Sequence, residues 1–204
     1  MTIFLVRHGE TEWNRARRYQ GWSDSPLTER GTAQAQAIGH RLRALPEART
    51  AEIIASPIGR ARRTAEIIAE CLGRTAPLSF DERLREISIG SWDGLDRREI
   101  KTRMGKGFAE FEWYFQTPDG ESYDLFAGRI AAWLREVGDG PVIAVSHGVV
   151  TRVLRGLYAG LARADALRLS VPQDRIFRLA DGMIDDIVVQ RGGPAMSVHK
   201  PLHD

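Results

Sequence analysis

The sequence predicts an α/β fold, a three-layer sandwich built on a mainly parallel central sheet. Short apolar runs of strand length occur at 3–6, 52–55 and 142–145. The segments between them place apolar residues at helical spacing, and a turn signal near the C-terminus predicts a hairpin. Strands that alternate with helices are typical of a parallel sheet covered by helices on both faces.

The first strand and the first long helix open this alternation. The run at 3–6 is too short for a helix and suits a buried strand. Thr28 is a good N-cap for the helix that follows, and the apolar residues Ile38, Leu42 and Leu45 recur there at helical spacing. We therefore expect this helix to lie against the sheet.

The second strand, at 52–55, ends at Ser56-Pro57. This pair predicts a helix start, because serine caps a helix and proline is favoured at its first position. The helix beyond it carries apolar residues on one face, namely Ala61, Ala65, Ile68 and Leu72.

The C-terminal half repeats the pattern of helix, strand and helix. Apolar residues at helical spacing predict a helix over 126–137. A buried strand is then predicted at 142–145, followed by another helix at about 149–158.

Two further features complete the predicted architecture. Asp181-Gly182 is a preferred hairpin turn, and it separates two strand-like segments at 175–180 and 183–190. This hairpin would add an antiparallel edge to the sheet. The stretch 95–122 is helical in composition and lies outside the alternation, so we expect a helical cap inserted over one end of the sheet.

Composition places the chain among ordinary globular proteins. It has 204 residues, 43% hydrophobic and 27% charged, which suits a single domain over 1–204. We expect no membrane partner, because no apolar run approaches the ~20 residues of a membrane span. The net charge of +2 is too small to predict nucleic-acid binding.

The chain has a single cysteine, Cys71, which excludes an intrachain disulfide. Together with the lack of a signal-peptide pattern, this predicts a cytoplasmic location.

Three polar clusters follow predicted strands, at 7–9, 56–60 and 146–148. The carboxyl ends of parallel strands meet at one edge of a sheet, so we expect these clusters to converge. They would bring together two imidazoles, of His8 and His147. A metal site would explain the imidazoles, with Glu86 as a further ligand, but no third ligand stands at a recognisable zinc spacing. Arg7 and Arg60 would repel a cation and favour an anion such as phosphate.

The full set of motifs resembles the histidine phosphatase superfamily, also called the phosphoglycerate mutase-like family. The motifs occur in the family's order and span about 70% of the chain. The matching blocks are RHGETEWN at 7–14, QGWSDSPLT at 20–28, SPIGRA at 56–61, LRE at 84–86, GSWDG at 90–94 and VSHG at 145–148.

This resemblance implies a role for each matching residue. His8 would be the nucleophile that forms a phosphohistidine, and Glu86 would protonate the leaving alkoxide and then activate water. His147, expected to be protonated, would hold the phosphate oxygens. The family's phosphate-binding pocket corresponds to Arg7, Asn14, Gln20 and Arg60, with a donor from the Gly148 backbone. No metal and no cofactor are implied.

Phosphatase activity on a small-molecule phosphomonoester is the favoured reaction. Mutases resembling the glycolytic enzyme carry a longer stretch between the acid and the second histidine, with an Arg-Arg-Ser-Tyr element that is missing here. A phosphoglycerate mutase and a specialised phosphatase, for example for α-ribazole phosphate, stay open as alternatives. A non-catalytic phosphate-binding module is disfavoured, because both histidines and Glu86 are present. The oligomeric state stays open.

Two features of the region around the predicted cap have no assigned role. The tripeptide Gly120-Glu121-Ser122 resembles another element of the family whose role cannot be derived from sequence. An aromatic cluster is expected to form the core of the cap, and any member facing the pocket would favour bulky substrates. Its members are Phe108, Phe111, Trp113, Tyr114 and Phe115.

Overall fold

The structure, a computed structural model, describes residues 1–74 and 78–189 and the backbone of Ser197–Val198. The strands are β1 (Thr2–Arg7), β2 (Glu52–Ala55), β3 (Ser79–Phe80), β4 (Pro141–Ser146), β5 (Arg175–Ala180), β6 (Met183–Val188) and β7 (Ser197–Val198). The helices are α1 (Glu12–Arg15), α2 (Glu29–Arg43), α3 (Gly59–Cys71), α4 (Arg97–Met104), α5 (Tyr123–Glu136), α6 (Gly148–Tyr158) and α7 (Arg163–Arg168). Short 3₁₀ helices lie at Glu47–Arg49, Glu82–Leu84, Gly90–Trp92, Gly105–Gly107 and Trp113–Phe115.

The sheet has the strand order β3-β2-β4-β1-β5-β6-β7. Strands β1 to β4 run parallel to one another, and β5 pairs antiparallel with β1. Strands β5 and β6 form the predicted hairpin, with positive φ at Asp181 and Gly182 in its turn. The mainly parallel sheet with an antiparallel edge is thus confirmed. The edge extends further than predicted, because β7 pairs with β6.

Both faces of the sheet are covered, which confirms the three-layer sandwich. Alternate residues of β1 point to opposite sides, as the pleat requires. Ile3 and Leu5 pack in one hydrophobic core with residues of α5 and α6. Phe4 and Val6 pack in a second core with residues of α2 and α3.

The predicted helices form, with corrections at their ends. Thr28 caps α2 as expected, whereas Leu45 lies beyond the end of that helix. Helix α3 begins at Gly59 with Ile58 as its N-cap, so the predicted cap at Ser56 was wrong. The Ser56 hydroxyl instead accepts from the Ile58 N–H at 3.3 Å and contacts His147. Gln190, the last residue of the predicted hairpin, lies outside the described residues.

The segment 95–122 contains α4 and two of the 3₁₀ helices. Ile100 and Trp113 are buried in the same core as Leu5, so the segment packs onto the face of the sheet that α5 and α6 cover. The boundaries of a cap over 95–122 stay a prediction. Within the described part of the chain, none of the helices combines the length and apolar character that a membrane span requires.

Candidate active site

The loops that follow β1, β2 and β4 bring the predicted clusters to one place. The His8 N–H donates to the Ser146 carbonyl at 2.9 Å, and the Ser56 N–H donates to the Val145 carbonyl at 2.9 Å. These bonds continue the parallel ladder past the strand ends. As a result, the His8 and His147 rings lie side by side, with centroids 5.2 Å apart and planes inclined by 60°.

His8 is held in the tautomer that a nucleophile needs. Its side chain is buried, and Nδ1 lies 2.8 Å from the Gly9 carbonyl oxygen. Because a carbonyl only accepts hydrogen bonds, Nδ1 carries the proton and Nε2 keeps its lone pair. Burial lowers the pKa of His8 well below its usual range, and the Arg60 and Arg7 guanidiniums lower it further. The imidazole is therefore neutral at physiological pH.

His147 is completely buried at the N-cap of α6. Its Nε2 lies 2.7 Å from the Ser56 hydroxyl, and its Nδ1 has no hydrogen-bond partner among the described residues. Burial lowers the pKa of His147 well below its usual range, with Arg60 as the next cause. Burial and the neighbouring cations thus favour a neutral His147, whereas the protonated form expected from the resemblance concerns a histidine that holds phosphate and stays a prediction. The neighbouring cations disfavour a further positive charge until an anion is bound.

Carbonyl groups anchor Arg7 and Arg60, and Arg60 also contacts the Asp24 carboxylate at 3.4 Å. Arg7 donates from Nη1 to the Val171 carbonyl at 2.7 Å. Arg60, only 1% exposed, donates to the Ser23 and Gly21 carbonyls at 2.7 and 2.8 Å. The Nε of each guanidinium is buried and unpartnered within the described residues.

These two Nε atoms and Nδ1 of His147 belong to residues that surround His8. An unsatisfied buried donor costs about 1–3 kcal/mol, and buried polar groups in proteins are otherwise nearly always paired. Phosphate oxygens would satisfy such donors. Other arginines, such as Arg41 and Arg175, also have an unpartnered buried Nε, so the cavity adds the decisive observation. Arg7 and His8 line it together, and an anion bound there would meet the Arg7 guanidinium beside the free Nε2 of His8.

Glu86 lies on the wall of the same cavity as His8. Its buried carboxylate accepts from the backbone N–H groups of Val149 and Val150 at 3.2 and 3.3 Å, at the start of α6. It also accepts from the Ile87 N–H at 3.1 Å. The carboxylate is thus fixed on the wall of the cavity that His8 also lines.

The remaining predicted residues differ in how near they lie to the cavity. Gln20 and the Gly148 backbone line it together with Arg7. Asn14 is one step removed, because its Oδ1 accepts from Gln173 Nε2 at 3.0 Å and that amide also donates to the His8 carbonyl at 3.2 Å. Arg60 and His147 are likewise not among the lining residues, although the His147 ring contacts that of His8 and the Arg60 charge lowers the pKa of both histidines. The structure therefore places five of the predicted residues on the cavity wall, namely Arg7, His8, Gln20, Glu86 and Gly148.

Several residues of the site were missed from sequence. Ser56 and Gln173 support His147 and His8 through the contacts just described. Arg152 and Tyr114 line the cavity, where aliphatic side chains also contribute, namely Ile87, Ile89, Val149 and Val171. Arg152 stands four residues after Gly148 on α6, so its helical spacing from the second-histidine motif is a signal that could have found it.

The cavity is small, about 200 Å³, and two tyrosines contribute to its wall. The Tyr19 and Trp113 rings meet edge to face at 4.6 Å, and Tyr114 stacks on Trp113 at 4.2 Å. The aromatic cluster of 95–122 was expected to be core, and Trp113 is core, with 1% exposure. Tyr114, by contrast, faces the cavity.

Within the described ranges 1–74 and 78–189, no set of three or more His, Cys, Asp or Glu side chains is placed to hold a metal ion. His199 and His203 lie outside these ranges.

Known proteins match the chain over most of its length. The sequence model of the histidine phosphatase superfamily (branch 1) matches residues 3–180. A probable phosphoglycerate mutase GpmB of Citrobacter koseri is 38% identical over 193 residues, covering 88% of this chain and 84% of that one.

Solved structures give the same picture. YhfR of Bacillus stearothermophilus is 34% identical, with a TM-score of 0.77 over 92% of this chain and 95% of that chain. A mycobacterial glucosyl-3-phosphoglycerate phosphatase, in complex with VO3, is 29% identical, with a TM-score of 0.73 over 88% of this chain and 90% of that chain.

Proposed function

This chain belongs to the histidine phosphatase superfamily (branch 1), and on that premise we propose that it is a metal-independent phosphatase of small phosphomonoesters. The observation that carries the proposal is the free Nε2 of His8 on a cavity that Arg7 and Glu86 also line, with the His147 ring 5.2 Å from that of His8. Nitrogens of Arg7, Arg60 and His147 are buried without a partner within the described residues. Donors without a partner next to a nucleophile suit a phosphate group that is bound and attacked there.

The first step transfers the phosphoryl group to His8. The lone pair on Nε2 attacks phosphorus, an N–P bond forms, and the ester P–O bond breaks. Glu86 gives a proton to the departing alkoxide, which leaves as an alcohol. Arg7, Arg60 and His147 donate to the phosphoryl oxygens, where charge redistributes during transfer. Phosphate binding also adds negative charge beside His147, which favours its protonated form.

The second step returns His8 to its starting state. Glu86, now a carboxylate, takes a proton from a water molecule as the water oxygen attacks phosphorus. The new P–O bond forms while the N–P bond breaks, and inorganic phosphate leaves. The proton that Glu86 gains here replaces the one that it gave up in the first step, so the cycle closes.

The size of the cavity favours a small substrate. At about 200 Å³ it falls below the 300–1,000 Å³ of typical ligand pockets. The rings of Tyr19 and Tyr114 fill part of the cavity wall. They therefore limit the size of the leaving group and do not provide a surface on which a large one could stack. A phosphorylated alcohol of a few carbon atoms suits this space better than a bulky ester such as α-ribazole phosphate.

A phosphoglycerate mutase is the second candidate, and one residue favours it. Arg152 brings a guanidinium to the cavity in addition to that of Arg7. It can receive a second anionic group, such as the carboxylate of a phosphoglycerate. The relatives named probable phosphoglycerate mutase agree with this reading.

One experiment separates the two reactions. The protein is incubated with 3-phosphoglycerate and a trace of 2,3-bisphosphoglycerate, and phosphate and 2-phosphoglycerate are measured together. A phosphatase releases phosphate faster than it forms 2-phosphoglycerate. If 2-phosphoglycerate forms much faster than phosphate appears, the mutase is correct and the phosphatase proposal fails. A panel of small and bulky phosphomonoesters then ranks the substrates, and we expect the small ones to lead.

Independence from metals has its own test. The proposed chemistry relies on guanidinium and imidazole groups, so turnover should be unchanged after exhaustive treatment with a chelator. A loss of turnover that a divalent ion restores would contradict the proposal.

We also propose a cytoplasmic location, which the single cysteine favours.

A further inference from the structure

The tripeptide Gly120-Glu121-Ser122 has no place in the mechanism so far, although it lies next to the site. Glu121 donates from its N–H to the Ser88 carbonyl at 2.8 Å, which ties the tripeptide to the segment that follows Glu86. Gly120 fits closely here, because a Cβ on it would lie 2.6 Å from the same Ser88 carbonyl oxygen. Ser122 caps α5, on which Arg129 lies.

The Glu121 side chain forms a bidentate salt bridge with Arg129. Nε of Arg129 lies 2.8 Å from Oε1 of Glu121, and Nη2 lies 3.0 Å from Oε2. Both side chains are largely buried, with 14% exposed for Glu121 and 18% for Arg129. Paired charges with little solvent around them keep a fixed geometry better than exposed pairs do.

The other donors of Arg129 all go to the backbone that carries Glu86. Nη1 donates to the carbonyls of Arg83 and Arg85 at 2.6 and 2.8 Å, and Nη2 donates to the Glu86 carbonyl at 3.0 Å. Together with the ion pair, these bonds occupy every N–H that a guanidinium has. A lysine could not reproduce them, because its donors radiate from a single nitrogen atom.

We propose that Arg129, oriented by Glu121, is a positioning residue that sets the Glu86 carboxylate for proton transfer. Glu86 is held at both ends: its carboxylate by the N–H groups of α6, and its backbone by Arg129 of α5. Trp22 Nε1 also donates to the Glu86 carbonyl, at 2.9 Å, but Arg129 alone joins that carbonyl to those of Arg83 and Arg85. The inference rests on the proposed phosphatase function, in which Glu86 supplies a proton to the alkoxide.

The test uses substrates that differ in their need for that proton. An alkoxide leaving group, as in glycerol 2-phosphate, requires protonation, whereas p-nitrophenolate leaves without it. Arg129→Lys and Glu121→Gln are compared with Glu86→Gln and with Arg135→Lys, a matched control at an exposed position of the same helix. Rapid mixing measures the phosphorylation step with each ester.

We expect Arg129→Lys to lower the phosphorylation rate with glycerol 2-phosphate by about tenfold or more, within the range that general acid catalysis contributes. The burst of p-nitrophenolate should keep its wild-type rate within about twofold, and KM should change little for either ester. Glu86→Gln should show the same pattern, Glu121→Gln a weaker form of it, and Arg135→Lys neither change.

A purely structural role for Arg129 would lower both rates by the same factor, and that result, or no change in either rate, would overturn the inference. A wild-type protein that forms no phosphoenzyme with any ester would instead refute the proposed function itself.

An independent measurement follows the geometry without any substrate. The Val149 and Val150 amides donate to the Glu86 carboxylate, and amides at a helix start have no partner within the helix. Their hydrogen exchange should accelerate in Arg129→Lys and stay unchanged in Arg135→Lys. Unchanged exchange in Arg129→Lys would show that the carboxylate keeps its place without the contacts of Arg129, which contradicts the inference.

Discussion

At the scale of single residues, the chemistry depends on which ring nitrogen of each histidine is free. The Gly9 carbonyl fixes the proton of His8 on Nδ1. For His147, the group that contacts the ring is the Ser56 hydroxyl, which lies 2.7 Å from Nε2. Because that hydroxyl already accepts from the Ile58 N–H, its own proton is available for His147 Nε2. If the hydroxyl donates to Nε2, the proton of a neutral His147 lies on Nδ1, the unpartnered atom, as a donor to phosphate requires.

Replacing Ser56 by alanine tests this assignment. The variant should lose about fivefold to tenfold in kcat/KM, because one hydrogen bond of roughly 1 kcal/mol orients the ring. Ser79→Ala, which removes an exposed hydroxyl that contacts Glu52, serves as the control and should retain wild-type activity. Equal kcat/KM values in both variants would remove Ser56 from the site.

Sequence patterns predict the site residues that belong to contiguous motifs, such as His8, Arg60 and His147. They do not predict partners whose role depends on the fold. Gln173 lies far from His8 along the chain, yet it donates to the His8 carbonyl. Its position follows from the pairing of β5 with β1, which local periodicity does not reveal.

At the scale of elements, the loop after β1 is fixed by a close approach of two glycine backbones. A Cβ on Gly9 would lie 2.3 Å from the Gly31 carbonyl oxygen, and a Cβ on Gly31 would lie 2.0 Å from the Glu10 carbonyl oxygen. The first turn of α2 therefore supports the loop that carries His8. Backbone contacts as close as these leave no room for a side chain.

Replacing a helical glycine by alanine should change the free energy of unfolding in opposite directions at Gly31 and Gly128. Gly31→Ala should lower the free energy of unfolding by more than about 2 kcal/mol, because backbone must move to admit the methyl group. Gly128→Ala in α5, where a new Cβ meets nothing within 4 Å, should raise it by about 0.5–1 kcal/mol through helix propensity. Chemical denaturation measures both. A stable Gly31→Ala variant with normal turnover would contradict the supporting role of α2.

The elements themselves were predicted where the pattern was strong. The apolar runs and helical spacing predict β1, β2, β4, α2 and α5 within a few residues. The start of α3 was wrong, because Ser56 serves His147 and does not cap the helix. In 95–122 a helical composition produces only one α-helix and two 3₁₀ helices, since aromatic packing dominates over propensity there.

At the scale of the whole molecule, the sandwich buries the two histidines of the site. Such histidines resist protonation in the folded state, because burial and neighbouring arginines lower their pKa. In the unfolded chain they take up protons near the ordinary histidine pKa of about 6.5. The unfolded state therefore binds more protons below that pH, and stability must fall as the pH falls.

The size of this effect can be measured by denaturation at several pH values. Between about pH 6 and about pH 5, each buried histidine should lower the free energy of unfolding by up to about 1.4 kcal/mol per pH unit. The slope should become shallower in His8→Asn and shallower again in the double variant with His147→Asn. Identical slopes in the wild type and both variants would show that neither histidine has a lowered pKa.

The central claim is that the phosphoryl group passes through His8, and trapping that intermediate tests it most directly. Wild-type protein is quenched during turnover of a small phosphomonoester, and its peptides are analysed by mass spectrometry under alkaline conditions, in which phosphohistidine survives. We predict a phosphate on the peptide that contains His8, and neither phosphate nor turnover in His8→Ala. Turnover that persists in His8→Ala, or a phosphate located on another residue, would contradict the account.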